Sequence, residues 1–331
     1  MLQVILTIVQ HKGRGRKALS YEMIWTLLFL KSPRDVYRVA SGTKQEKGMA
    51  IDPLLELSIT KTIELFTEGL PAIIIQISAA MTKGGTTYME GLSMIVSILV
   101  AGFTATQISF DLDVDPTRRS KMPDFYGYVP DTARDRQIVF IALLLISSLM
   151  MAIRSLSAIL LSSISLNYVG IYFAADIGFH LLVRVLRDDF IHWIPSRGFI
   201  ADVFSSLLIK SGLKVVIDIT SIMHFRHPSE VGGMHWLFSQ VTAVATLFIS
   251  LNLVQEKGHR NSMINSLWLI GAFLTGALFI SFYVFFKHIN EGYAKTFYSF
   301  ETGAQMTVRM FNAHQDDGAR AEVIFTNNEN Y

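Results

Sequence analysis

Residues Ile138–Ile153 read IVFIALLLISSLMMAI, a largely apolar run near the middle of the chain. It holds no charged side chain, and it continues to Ser163 with Arg154 as its single charge. A helix needs roughly 20 apolar residues to cross about 30 Å of hydrocarbon. The run therefore predicts a membrane-spanning α-helix.

Five further stretches on either side of this run have the length and apolar character of a span. Only helices are expected to cross here, because lipid offers no partner for free backbone N–H and C=O groups. The stretch Phe199–Phe225 is also long, but it contains Lys210, Lys214 and Asp218. It is predicted to be a re-entrant or surface-lying helical hairpin. The six predicted spans are Leu54–Met81, Glu90–Phe110, Ile138–Ser163, Tyr168–Leu186, Met234–Val254 and Ser266–His288.

The composition is typical of a protein surrounded by lipid. Of the 331 residues, 51% are hydrophobic and 17% are charged, whereas soluble domains carry about 25% charged residues. The net charge of +2 favours neither nucleic acid nor an acidic partner. The chain has no cysteine, which excludes disulfides, thiolate metal sites and cysteine nucleophiles. The predicted fold class is an all-α, polytopic membrane bundle.

The number of lysine and arginine residues alternates between high and low in successive segments that connect the spans. One set of alternate segments carries 23 of these residues and the other set carries 3. Since cytosolic loops are enriched in basic residues, both termini are predicted to face the cytosol, and the plasma membrane is the expected location. The predicted division is a basic cytosolic or interfacial segment 1–53, a bundle 54–288 and a polar cytosolic tail 289–331. Within the first segment, Met1–Val9 is predicted to be the end of a helix or an interfacial stub, and Tyr21–Leu30 an interfacial helix.

The first predicted span contains polar side chains that are costly in a membrane. Glu64 and Glu68 are four residues apart and therefore share one helix face. Pro71 is expected to kink the same helix, because it lacks a backbone N–H. Gln76 follows five residues later.

Two later spans also carry charges. Arg154 lies in the third span, while Asp176, His180 and Arg184 form a polar stripe on the fourth. These groups could satisfy one another and only hold helices in register. The alternative hypothesis is that the acidic face of the first span meets Arg154 through Glu68. The result would be a hydrophilic track through the bilayer.

The segment Asp111–Asp115 imitates the start of a calcium-binding loop. Such a loop needs Gly at its sixth position and Glu at its twelfth, but Pro116 and Met122 stand there. The segment is therefore predicted to be an acidic turn at the end of a span, and no metal site is predicted. The following aromatic turn, Phe125–Asp131, is expected to dock at the headgroup layer or against other loops.

Three motifs in order resemble the XK-related proteins, a family that includes phospholipid scramblases. The first is Glu68–Gln76, with a Glu, a Pro three residues on and a Gln five further. Ser93, Ser97 and Ser109 are similar to the serine-rich helix that follows in the family, and Met151–Ala158 is similar to its Arg-containing helix. The resemblance covers roughly Leu54 to Phe190. It departs from the family at Ala72, where members often carry Gln.

The resemblance implies ATP-independent movement of membrane phospholipids between leaflets. That activity makes and breaks no bond, so it implies neither an enzyme nor a cofactor. Known members have further helices before the first motif, so we expect a truncated or divergent N-terminal part. Two alternatives stay open, namely a small-solute or ion transporter or channel, and a non-transporting membrane scaffold. The sequence leaves a membrane-protein partner and the oligomeric state open.

Overall fold

The structure is a computed structural model. It describes residues 2–28, 30–43, 48–49, 51–83, 87–121, 126–186, 233–256 and 261–290. These residues form helices and turns, and no strand occurs among them. The helices are α1 (Leu2–His11), α2 (Arg16–Leu27), α3 (Lys31–Ala40), α4 (Pro53–Glu64), α5 (Leu70–Lys83), α6 (Tyr88–Val114), α7 (Pro116–Lys121), α8 (Ala133–Ile164), α9 (Leu166–Leu186), α10 (Gly233–Glu256) and α11 (Asn261–His288).

Five of the helical segments in the described part of the chain are long and apolar enough to cross a membrane. They are Pro53–Lys83, Tyr88–Val114, Ala133–Ile164, Phe238–Glu256 and Ile264–His288. This confirms the all-α membrane class and coincides with five of the six predicted spans. The other prediction, Tyr168–Leu186, falls on α9, which is a helix of 21 residues but is not one of the five. The total of six therefore stays a prediction, while the hairpin Phe199–Phe225 and the tail beyond residue 290 lie outside the described residues.

Helix α8 is the centre of the bundle. It packs against α5, α6, α9, α10 and α11. In its most apolar stretch 67% of the residues are buried, whereas the other four spans reach 17–39%. The uncharged run Ile138–Ile153 thus lies on the helix against which the other spans pack.

The contact between α6 and α8 is unusually close. A Cβ atom added to Gly102 would lie 2.0 Å from the Oγ of Ser148 and 3.0 Å from its backbone N. Small residues allow helix backbones to approach each other in this way. Gly102 therefore sets the distance between the two helices.

The connection from α6 to α8 is fixed by one buried carboxylate. Asp113 accepts hydrogen bonds from the backbone N–H groups of Gly127 (2.8 Å) and Val129 (3.0 Å), and it pairs with Arg119 at 3.4 Å. The end of α11 closes over the same loop, because the backbone N–H of Asn290 donates to the carbonyl of Tyr128 at 3.0 Å. The acidic turn thus serves as an internal anchor, and the aromatic turn docks against other parts of the bundle.

Replacing Asp113 by Ala should loosen this loop. The substitution leaves buried N–H groups unsatisfied, which costs about 1–3 kcal/mol for each group. We expect a lower unfolding temperature and faster protease cleavage within residues 126–131. The control is Asp131→Ala, which removes an 84% exposed carboxylate paired with Arg119 and Arg136 and should change neither measurement appreciably. Equal behaviour of the two variants would contradict the anchoring role.

The N-terminal helices are in contact with the first span. α1 and α3 pack against α4, and α2 packs against both α1 and α3. Several of their polar side chains face inward, as shown by Glu22 and Thr26 on α2, while Tyr21, Ile24 and Leu27 on the same helix are exposed. The described residues before Pro53 bury one hydrophobic side chain, that of Met49. A soluble domain buries apolar side chains and exposes polar ones, whereas these helices bury polar side chains and expose apolar ones. This arrangement suits helices whose outer surface faces lipid.

Candidate functional site

A buried polar cluster surrounds Glu56, near the start of α4. The carboxylate is fully buried and contacts Lys31 Nζ at 2.5 Å, Arg38 at 3.3 Å and His11 Nε2 at 3.3 Å. Asp35 adds a second acid, 3.1 Å from Lys31. Two acids thus face two permanent cations, with His11 beside them. We call these five residues the Glu56 cluster.

Each member of the Glu56 cluster is held by its helix. Lys31, Asp35 and Arg38 are spaced i, i+4 and i+7, which places them on one face of α3. That face lies on α4, where Thr60 donates a hydrogen bond to Asp35 at 3.4 Å. Burial raises the pKa of the Asp35 carboxyl above its ordinary value, because desolvation outweighs the opposing charge of Lys31.

A second group of polar side chains lies further along α4 and on the neighbouring α6. Lys61 Nζ donates to Gln107 Oε1 at 2.6 Å; Glu64 follows three residues after Lys61 on α4, and Asp111 follows four residues after Gln107 on α6. These four side chains are half-buried, and Glu68 beyond them is exposed. We call the five residues, Lys61, Glu64, Glu68, Gln107 and Asp111, the mid-span strip.

Glu68 lies in an irregular turn of the helix. Residues Leu65–Gly69 form a π-helical turn, in which the N–H of Leu70 bonds the carbonyl of Leu65. Pro71 explains the position of this turn, because its ring removes an N–H and clashes with the carbonyl four residues earlier. The disturbance expected from Pro71 therefore takes the form of a widened turn. Such turns often occur at functional positions.

A third group joins α8, α9 and α10. Arg154 donates to the Oγ of Ser239 at 2.8 Å, and the same hydroxyl donates to Asp176. All three side chains are buried, and so is His180 one turn after Asp176. The Nε atom of Arg154 is buried without a hydrogen-bond partner among the described residues. We call Arg154, Asp176 and Ser239 the Arg154 cluster.

The predicted pairing of Glu68 with Arg154 is not formed. Glu68 is exposed on the π turn, while Arg154 is 6% exposed and binds Ser239. The reason is their depth along the helices. Gly69 lies against Ala101, and the next residue, Gly102, lies against Ser148; Arg154 is six residues further along α8, or about 9 Å.

The other predicted residues divide between the groups. Glu64 belongs to the mid-span strip and accepts a hydrogen bond from Gln3 of α1 at 3.2 Å. Gln76 lies on α5, half-buried, and its Oε1 atom has no hydrogen-bond partner within the described residues. Asp176 is in the Arg154 cluster and His180 is buried near it on α9. The side chain of Arg184 lies outside the described residues.

The three groups occupy successive depths of the bundle. Glu56 and Glu68 are twelve residues apart on one continuous helical segment, which corresponds to about 18 Å. The Arg154 cluster lies about 9 Å beyond the level of Glu68. Together these distances approach the roughly 30 Å of a hydrocarbon core. Polar side chains thus occur along most of the length of the bundle. The three groups do not form one continuous chain of contacts.

The Glu56 cluster was not among the predicted site residues. Glu56 is visible in the sequence as a charge within the first span, and the spacing of Lys31 and Asp35 is typical of an ion pair on a helix. The signal that could have revealed the cluster is the opposite charge of Glu56 and of the two cations on this face of α3. The pairing is not evident from the sequence because Lys31 and Glu56 lie 25 positions apart and on different helices.

Comparison of this chain with protein families, with curated proteins and with solved structures finds no match.

Proposed function

We propose that this chain moves phospholipids between the two leaflets of a membrane without ATP, as its resemblance to the XK-related proteins implies. The observation that carries the proposal is the mid-span strip, whose charged side chains are partly exposed on the outer surface of an apolar bundle. Glu68 lies halfway along the 31-residue span Pro53–Lys83 and is exposed there. An ionisable side chain at this depth is costly, which makes it a candidate for a functional role.

The open position of the mid-span strip favours a lipid as the substrate. During translocation the headgroup must cross the apolar layer while the acyl chains stay in lipid. Charged side chains at the lipid-facing surface lower the cost of burying the headgroup, because they replace part of its hydration. Lys61 can meet the phosphate, and Glu64 and Glu68 can meet an amine.

The transporter alternative has its own supporting observation. The Arg154 cluster is buried between three helices, where a small solute could be enclosed. In that case the Arg154 cluster, and not the mid-span strip, would determine activity. Variants of the two groups therefore distinguish the two functions.

The test uses the full chain in liposomes that contain a trace of fluorescent phospholipid. Dithionite bleaches only the outer leaflet, so fluorescence loss near one half means no scrambling, and a larger loss means exchange between leaflets. We expect the larger loss. A loss that stays near one half would reject the proposal, and solute flux in the same vesicles would then favour a transporter.

Replacing Glu68 by Ala should slow lipid exchange about tenfold. A hydrogen bond to a charged group contributes about 1.5–3 kcal/mol, and 1.4 kcal/mol corresponds to a factor of ten in rate. The matched control is Glu90→Ala, which removes a carboxylate from the first turn of the neighbouring span, α6. The control should exchange lipid at the rate of the unmodified chain. Equal rates for Glu68→Ala and the unmodified chain would remove the mid-span strip from the mechanism.

A further inference from the structure

The turn between α1 and α2, together with the first two residues of α2, carries three exposed cations. Lys12, Arg16 and Lys17 are exposed, and they make no ion pair with the described residues. The nearby acid is already occupied, since Glu22 pairs with Arg34 at 2.7 Å and with Arg14 at 3.8 Å. The turn therefore carries three positive charges that the described part of the chain does not neutralise. We call Lys12, Arg16 and Lys17 the basic turn.

The backbone of the basic turn is held in a defined place. A Cβ atom added to Gly13 would lie 2.7 Å from the carbonyl oxygen of Gly48, so two backbone segments are in direct contact. Gly48 has φ +85° and Gly15 has φ +90°, a region that favours glycine. The backbone that carries the three cations is thus held in place by its contact with the backbone at Gly48.

Apolar side chains on both sides of the basic turn place it at a membrane boundary. Val9 before it is 61% exposed, and Ile24 after it is 54% exposed. Tyr21 is also exposed, and the guanidinium of Arg34 lies 4.6 Å from its ring centre. Aromatic and basic side chains with this neighbourhood are typical of the headgroup layer.

We propose that the basic turn binds the headgroups of anionic phospholipids. Basic side chains next to a membrane surface are attracted to anionic lipids, and each strengthens binding about fivefold. Three such side chains correspond to a preference on the order of 100-fold. The adjoining apolar surface accommodates acyl chains, which a soluble anion lacks. This proposal is independent of lipid translocation, since it concerns binding at one surface.

The test measures binding and not transport. The full chain is purified in phosphatidylcholine-containing micelles and titrated with phosphatidylserine, and the rise in unfolding temperature gives an apparent Kd. The variant is Lys12→Gln/Arg16→Gln/Lys17→Gln, which we expect to bind phosphatidylserine on the order of 100-fold more weakly. The matched control is Arg134→Gln, an exposed cation at the start of α8, which should bind like the unmodified chain.

Two further measurements make the result decisive. Lys12→Arg/Arg16→Lys/Lys17→Arg preserves the charge and should retain full binding, even if the neutral variant proves less stable. Inorganic phosphate should bind far more weakly than phosphatidylserine. Unchanged binding in the neutral variant, lost binding in the charge-preserving one, or equal binding of phosphate would each overturn the proposal.

Discussion

Replacing Glu56 by Ala should destabilise the N-terminal half of the protein by about 3–5 kcal/mol, the cost of removing one partner from a buried ion pair. Lys31 is 1% exposed and Arg38 is 8% exposed, so both cations would lose a buried counter-charge. Asp35, 3.1 Å from Lys31 and 3.7 Å from Arg38, would be left as the one acid of the Glu56 cluster facing both cations. We expect a large fall in unfolding temperature and early proteolysis between residues 16 and 52.

A double variant separates the charge imbalance from the loss of packing. Glu56→Leu/Lys31→Leu removes one acid and one base together, and Asp35 still faces Arg38 at 3.7 Å. Because apolar replacement of a whole buried pair is often neutral, this variant should recover most of the stability. If the double variant is as unstable as Glu56→Ala, the Glu56 cluster does not act through charge balance.

Replacing Gly102 by Val should separate α6 from α8. The added side chain would collide with Ser148, whose backbone N lies 3.0 Å from the new Cβ position. Overpacking of this kind costs about 1–3 kcal/mol, occasionally more. We expect the unfolding temperature of the purified chain to fall accordingly, and the loop held by Asp113 at the end of α6 to become more accessible to protease.

The control lies on the same helix. A Cβ atom at Gly91 would meet no atom within 4 Å, so Gly91→Val should leave the unfolding temperature nearly unchanged. A second variant, Ser148→Gly in the Gly102→Val background, should restore part of the loss because it removes the Oγ atom. Equal effects at Gly91 and Gly102 would show that the change reflects helix propensity and not the contact between helices.

The membrane fold was predictable because its signals are local. In lipid, an uncharged run such as Ile138–Ile153 is stable only as an α-helix. Five of the predicted spans are helices of the required length. The partners of the charged residues were not predictable in the same way. Glu68 and Arg154 look unpaired in the sequence, but their depths differ by several residues along packed helices, and Ser239, 85 residues away, is the partner of Arg154.

The polar contacts of α1–α3 show the same limit. In the sequence, residues 1–53 are basic and short of apolar spans, which favours an exposed or interfacial segment. Their structure depends on Glu56, a residue of the next helix, which turns the charges of α3 inward. A hydrophobic pattern cannot reveal a helix whose buried face is polar.

The inverted interior of α1–α3 also fixes an order of assembly. Lys31 and Arg38 leave the ribosome before Glu56 does, so α3 would enter an apolar layer with unmatched charges unless α4 has followed it. We therefore expect α1–α3 to stay at the membrane surface until α4 supplies its carboxylate. Helices α1–α3 are synthesised before α4, but their final packing is expected to form after it.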